Sequence, residues 1–356
     1  AVLSSSLTMA HSRLTRCLAP VLFRKTPTRQ HVRMLSTVQQ PTLTLNNSAK
    51  QPQFGLGTWQ AVNEDELRTA LRVALDGGYR LIDTAHIYQN EHVIGEVLEE
   101  YFKAGKLKRS DIFITTKLPL YAMEPKDADA LIPKQLAALR LEYVDLYLVH
   151  TPTPFKQKGA ELKLDPDSLE PLDIEHIDTW RVLEKWHKRG ALKALGVSNF
   201  NAQQIESLFK LAEVKPANVQ VECYIYWPQN ELVELTRRLG MTFTAYGPLG
   251  SPGRKTFRPN LEWPEAFPME DPLVLQLAAK YQKSPAQILL RQLLQRGLAV
   301  IPKSTNVKRL KENATLFDFE LSASEMAAFE KIDKRVRLFT FPFCKKSKHF
   351  PFDDVQ

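Results

Sequence analysis

From residue 41 onward, short continuous apolar runs alternate with stretches in which apolar residues recur every three or four positions. Tyr79-Arg80-Leu81-Ile82, Ile112-Phe113-Ile114-Thr115-Thr116 and Val144-Asp145-Leu146-Tyr147-Leu148-Val149 are of the first kind, with the length and composition of buried strands. Leu67, Ala70, Leu71, Ala74 and Leu75 are of the second kind: they form one stripe of an amphipathic helix. Asn63 followed by Glu64, Asp65 and Glu66 opens that helix. A polar cap accepts free backbone N–H groups there, and acids suit the positive end of the helix dipole. Gly77-Gly78 ends it.

The unit repeats along the chain. Strands are expected near 53–57, 79–83, 111–116, 143–149, 192–197, 218–221, 241–245 and 299–302. Helices are expected near 91–104, 127–140, 175–189, 229–239, 272–282, 285–296 and 307–313. Asn201 with Gln204, Ser284 with Gln287 and Ser322 with Glu325 read as capping boxes at three further starts. Thr42-Leu43-Thr44-Leu45, a polar turn and a second short run predict an N-terminal β-hairpin. Strict strand–helix alternation over roughly 250 residues predicts a parallel sheet closed into a (β/α)8 TIM barrel. A doubly wound open sheet is the runner-up, weakened because no G-x-G-x-x-G follows the first strand. Phe339-Thr340-Phe341-Pro342-Phe343-Cys344 is too aromatic for a solvated tail and reads as a C-terminal substrate loop over the barrel mouth.

Composition narrows the class. The 356 residues are 44% apolar and 25% charged, as in a globular protein, and no stretch is long and apolar enough to span a bilayer. Cys17, Cys223 and Cys344 lie far apart, which argues against a disulfide framework or thiolate metal site and fits a reducing compartment. The net charge is +8, but Arg13, Arg16, Arg24, Lys25, Arg29 and Arg33 supply six of those charges within residues 1–40, which hold no acid. A nucleic-acid surface is therefore not indicated. Residues 1–40 read as a leader or disordered extension, and residues 41–356 as the barrel domain. The acid-poor, Arg-rich leader suits a mitochondrial transit peptide, whereas a start at Met34 would leave none. The short cytoplasmic form is the expectation, with a mitochondrial location as the alternative. The chain shows no heptads and is expected to be a monomer.

Asp83, Tyr88, Lys117 and His150 fall at or just past the ends of three successive strand-like runs. In a parallel barrel those ends share the face where chemistry is done. An ammonium beside a phenol favours the phenolate and lowers its pKa toward the working pH. Lys117 could supply that ammonium, Asp83 could hold it charged, and His150 could orient a carbonyl oxygen. Each residue alone has a plainer reading: a helix cap, a solvated rim lysine, a tyrosine with a wet hydroxyl, a satisfied core histidine. Their convergence on one predicted face favours function. His86, His92 and His150 have the wrong spacing for zinc, and no metal site is expected.

The loops after strands seven and eight are Tyr246-Gly247-Pro248-Leu249-Gly250-Ser251-Pro252-Gly253 and Lys303-Ser304-Thr305-Asn306, followed by Lys308, Arg309 and Lys311. Glycines that let amides approach an anion, next to clustered cations, suit a phosphate. A solvated basic helix face is the plainer reading.

Together with these residues, Gly55-Leu56-Gly57-Thr58-Trp59, Gly78 to Ala85 with Tyr88, Asn90-Glu91 and Gly95, Gly196-Val197-Ser198-Asn199-Phe200, and Ile301-Pro302-Lys303-Ser304 with Arg309, Glu312 and Asn313 resemble the motifs of the aldo-keto reductases. The resemblance runs from about residue 41 to the end. It implies an NADPH-dependent carbonyl reductase of the alcohol dehydrogenase (NADP+) or aldose reductase type. Tyr88 would be the proton donor, Lys117 and Asp83 its tuners, and His150 the orienting group. It further implies that Gly57, Thr58, Trp59 and Asp83 border the cofactor. Ser198, Asn199 and Gln220 would meet its carboxamide, Tyr246 its ring, and Leu249 and Ser251 its pyrophosphate. Lys303, Ser304 and Arg309 would hold the 2′-phosphate, and Glu312 and Asn313 the adenine. A small-molecule carbonyl would lie among Trp59, Ile87, Tyr88, His150 and Thr151. Pro119 and Thr151 stand where aldose reductases carry tryptophans, Cys223-Tyr224-Ile225 replaces Cys-His-Pro, and Gly247 replaces a serine, so a reshaped, more open pocket is expected. The rival readings are a catalytically silent NADPH-binding barrel serving as a redox-sensing or structural subunit, and a phosphosugar isomerase or lyase without nicotinamide.

Overall fold

The structure is a computed structural model that describes residues 40–157, 169–257 and 262–352. The leader reading of residues 1–40 falls, Gln40 apart, outside the described residues. Strands β1 (Thr42–Thr44) and β2 (Lys50–Pro52) form the expected antiparallel hairpin. Four strands follow: β3 (Leu56–Gly57), β4 (Leu81–Asp83), β5 (Phe113–Leu118) and β6 (Leu146–Val149). The long loop after them carries a small antiparallel pair, β7 (Phe155–Gln157) and β8 (Leu169–Pro171), which the sequence pattern did not predict. Then come β9 (Leu195–Ser198), β10 (Asn218–Glu222), β11 (Thr242–Tyr246) and β12 (Ala299–Val300).

The main sheet has the order β12-β11-β10-β9-β6-β5-β4-β3, with every neighbouring pair parallel. Parallel bridges from Phe54 to Val300 and from Gly57 to Lys303 bring the last strand back to the first. Gly55 N donates to Val300 O at 2.9 Å and Gly57 N to Pro302 O at 3.2 Å. The (β/α)8 barrel is therefore closed. Closure needs glycine at 57, because a Cβ there would stand 2.5 Å from Ile301 O.

Eleven helices are described: α1 (Glu64–Asp76), α2 (Glu91–Lys103), α3 (Pro125–Leu139), α4 (His176–Lys188), α5 (Ala202–Leu211), α6 (Asn230–Arg238), α7 (Arg254–Phe257), α8 (Pro272–Tyr281), α9 (Pro285–Gln295), α10 (Val307–Asn313) and α11 (Ala323–Glu330). The predicted stripe of α1 is its buried face, and the Asn63 side chain caps it by accepting from Asp65 N and Glu66 N. The three capping boxes are present at α5, α9 and α11.

Leu45 of the hairpin packs with Leu81, Phe113, Leu146 and Ile301 in one buried cluster. Gln51 adds hydrogen bonds to Thr242 and Thr244, each at 3.0 Å. The hairpin thus plugs the N-terminal end of the barrel and leaves the C-terminal end as the open face. Among the described residues no helix is long and apolar enough to cross a membrane.

Candidate active site

Asp83 is the last residue of β4, Lys117 lies in β5, His150 directly follows β6, and Tyr88 ends a single 3-10 turn, His86–Tyr88. Barrel geometry brings all four to one mouth. Lys117 is 0% exposed and Asp83 3%. The Lys117 ammonium donates to Asp83 Oδ1 at 2.6 Å, Thr84 O at 2.8 Å and Tyr88 Oη at 3.4 Å. These three acceptors match its three N–H groups. Gln220 Nε2 donates to the other Asp83 oxygen at 2.7 Å. A dry ion pair survives when such bonds satisfy both charges. Burial pushes the Asp83 carboxyl up and the Lys117 amine down, and their mutual attraction opposes both displacements.

The Tyr88 and His150 rings meet edge to face, with centroids 5.7 Å apart. Burial, reinforced by the Lys117 charge, drives His150 well below the ordinary histidine value, so its imidazole is neutral. One expectation needs correction. Lys117 was expected to draw the Tyr88 pKa down, but burial and then the Asp83 charge push it well above the ordinary phenol value. Desolvation of a phenolate outweighs one ammonium that Asp83 already largely neutralises.

A second chain of bonds runs beside the tetrad. Asn199 adopts φ +62° and sends Nδ2 to His150 O at 2.8 Å and to Ser198 Oγ at 3.2 Å. Tyr246 Oη donates to Asn199 Oδ1 at 2.8 Å. Thr58 bonds to Asp83 O through its N–H at 3.1 Å and its hydroxyl at 2.9 Å, which fixes Trp59 beside the mouth. Gly250 (φ +71°) and Ser251 (φ +45°) turn the loop that also carries Leu249. Lys303 stands at the ring closure opposite Gly57. Although the residue is exposed overall, partial desolvation of its amine pushes the pKa down, against the pull of Glu66. Asn306 caps α10 by accepting from Arg309 N at 3.1 Å, and Ser304 Oγ accepts from Asn306 N at 3.2 Å. Glu312 is half-buried and Asn313 is 4% exposed. Among the described residues, none of Lys303, Lys308, Arg309 and Lys311 makes an ion pair with an acid. No group of three or more metal-ligating side chains is found among the described residues.

The sequence model of the Aldo/keto reductase family matches residues 53–334. The chain belongs to the aldo/keto reductase family. Aldo-keto reductase family 1 member A1-A of Danio rerio is 40% identical over 322 residues, covering 87% of this chain and 98% of that protein. Aldo-keto reductase family 1 member A1 of Gallus gallus is 40% identical over 311 residues, covering 87% and 94%. Among solved structures, the aldose reductase of Schistosoma japonicum superposes with a TM-score of 0.80 at 38% identity, covering 89% of this chain and all of that one. This aldo/keto reductase is an oxidoreductase of carbonyl compounds.

In this aldo/keto reductase an aromatic cluster stands beside the mouth. Phe339 of the C-terminal segment meets Trp59 at 5.4 Å, Tyr246 at 5.5 Å and Trp263 at 5.8 Å, all edge-on. The predicted C-terminal loop thus lies against residues of the mouth. Ile87 is half-buried against the core, and Thr151 is buried, accepting from Thr153 Oγ1 at 3.2 Å. Two features escaped the sequence reading. Glu222, at the end of β10, accepts from Leu338 N at 2.7 Å and Phe339 N at 2.9 Å. Glu91 and Gln135 form a buried polar network behind Lys117. The available signal for the second was a glutamine on the apolar stripe of α3, with Ala128, Leu131, Ile132 and Leu139.

Proposed function

We propose that residues 41–356 form an NADPH-dependent reductase that converts aldehydes and ketones to alcohols, with Tyr88 as proton donor. The observation that carries this reading is Lys117, whose buried ammonium reaches both the Asp83 carboxylate and the Tyr88 hydroxyl. NADPH, when bound, supplies the hydride. Lys303 and Arg309, which no acid pairs with among the described residues, fit a phosphate, and with Ser304 they would hold the 2′-phosphate that distinguishes NADPH from NADH. Ser198, Asn199 and Gln220 would meet the carboxamide and Tyr246 the ring. Leu249 and Ser251 would border the pyrophosphate, Glu312 and Asn313 the adenine, and Gly57, Thr58, Trp59 and Asp83 the inner wall.

The residues divide the chemistry as follows. Tyr88 and neutral His150 donate hydrogen bonds to the substrate carbonyl oxygen. The raised phenol pKa keeps the Tyr88 proton in place until negative charge builds on that oxygen. The proton then moves from Tyr88 Oη to the oxygen, and the Lys117 ammonium stabilises the phenolate left behind. Asp83 holds that ammonium against the cost of burial. Trp59, Ile87 and Thr151 would border the substrate.

Tyr88→Phe tests the reading. Turnover of a generic aldehyde is expected to fall by about 100-fold or more, with the NADPH dissociation constant within about twofold of the parent. A variant that keeps most of its turnover removes Tyr88 as the acid. A parent chain that binds NADPH yet turns over no aldehyde would instead support the silent barrel.

A further inference from the structure

Glu91 opens α2, is 4% exposed, and has no Lys or Arg within ion-pair distance among the described residues. Its Oε2 lies 3.4 Å from His86 Nδ1. Its Oε1 accepts from Thr116 Oγ1 at 2.6 Å and Gln135 Nε2 at 3.0 Å. A buried carboxylate is unfavourable unless hydrogen bonds and nearby positive charge offset its lost hydration. Burial pushes the Lys117 amine down, and the nearby Glu91 charge is one of the groups that oppose this.

The hydrogen bonds lead to the same place. Thr116 precedes Lys117 in β5 and points to the opposite face of the strand, toward α2 and α3. Gln135 Nε2 also donates to Lys117 O at 3.2 Å, and Gln135 Oε1 accepts from Tyr147 Oη at 2.5 Å. Two helices and two strands are thus joined behind one amine. The charged and titratable groups around Lys117 are Asp83 from β4, Tyr88 from the turn, His150 after β6 and Glu91 from α2. Those around Glu91 are His86, Tyr121 and Tyr147.

We propose that Glu91 is a positioning residue of the reductase: through Thr116 and Gln135 it fixes the β5 backbone at Lys117 and sets its own carboxylate behind that amine. The inference rests on the role assigned to Lys117 above.

The test compares the parent with Glu91→Gln, which keeps the shape and removes the charge. In the cofactor-free protein, 13Cε-lysine NMR follows Lys117, whose signal is identified by its loss in Lys117→Met. Its titration midpoint is expected to move down by about half a pH unit or more in Glu91→Gln, because the ammonium loses an attracting charge. With NADPH and 4-nitrobenzaldehyde, the alkaline limb of kcat should move the same way, and kcat should drop about fivefold with the NADPH KM within about twofold. An unchanged midpoint and limb, or a lower melting temperature alone, overturns the proposal. If Glu91→Gln does not fold, Gln135→Met serves: it breaks the link to Lys117 O, and kcat should fall severalfold at constant NADPH KM, whereas full activity overturns the positioning role. Lys117→Met separates the two levels. If it keeps turnover, the assigned chemistry fails and this inference with it; if it is inactive while Glu91→Gln matches the parent, only the role of Glu91 fails.

Discussion

Gln220 and Asp83 bond directly across the barrel, at 2.7 Å, although their strands β10 and β4 stand four places apart in an eight-membered ring. The amide occupies the one Asp83 oxygen that Lys117 does not take. Gln220→Leu should leave that oxygen buried without a partner, at a cost of roughly 1–3 kcal/mol. Urea unfolding reads this loss, and kcat should fall with it because Asp83 is freed to turn away from Lys117. Parent-like stability and kcat would mean that the bond across the barrel is idle.

Lys303 and Arg309 carry charges that no acid pairs with among the described residues. Lys303→Ala or Arg309→Ala should raise the NADPH dissociation constant about 10-fold or more and the NADH constant less than about threefold, since only NADPH carries the extra phosphate. Tryptophan quenching measures both. Equal losses for the two dinucleotides would place the phosphate elsewhere.

His176 packs 4.8 Å from Phe200 and 4.3 Å from His349, and its Nε2 lies 2.6 Å from Pro152 O. Burial lowers its pKa from 6.5 to about 4. The folded value lies below the unfolded one, so the unfolded chain takes the proton first. The stability from the neutral ring is complete above about pH 6.5 and is lost as pH falls through about 4, by up to about 3 kcal/mol. Melting temperatures at pH 7.5 and 4.5 should therefore differ less in His176→Gln than in the parent. Some slope remains, because His150 is displaced in the same direction. Parallel melting curves across that range would contradict the assignment.

Glu222 ties down the segment that carries Phe339, and burial pushes its carboxyl up to about 7. Glu222→Ala abandons two N–H groups, worth about 3 kcal/mol together. Phe339 touches Trp59 and Tyr246, so the KM for an aromatic aldehyde should rise roughly threefold or more. An unchanged KM would show that the segment keeps its place without the carboxylate.

The barrel was legible because parallel strands covered on both faces must be apolar throughout, while each helix buries one stripe. Asn201–Gln204, Ser284–Gln287 and Ser322–Glu325 marked helix starts to the residue, since capping depends on local spacing alone. Strand ends were less sharp: the run from Leu192 to Val197 pairs continuously only from Leu195, with a lone bridge at Leu192. The pair β7–β8 left no signal because three residues are too few to establish a period. The tetrad was visible as strand-end positions, but the direction of the Tyr88 shift was not, because it depends on how much water the fold removes. The burial of Gln135 depends on how the stripe it shares with Leu131 and Leu139 packs, which α3 settles only in three dimensions.

Gly57 and Lys303 face each other where the cylinder is sewn shut. Backbone at such a seam cannot wander without parting the sheet, so the amine at position 303 starts from a fixed origin. Anything that this amine grips is referenced to the frame of the molecule instead of to a drifting loop, and its distance from the opposite rim is set by the girth of the barrel.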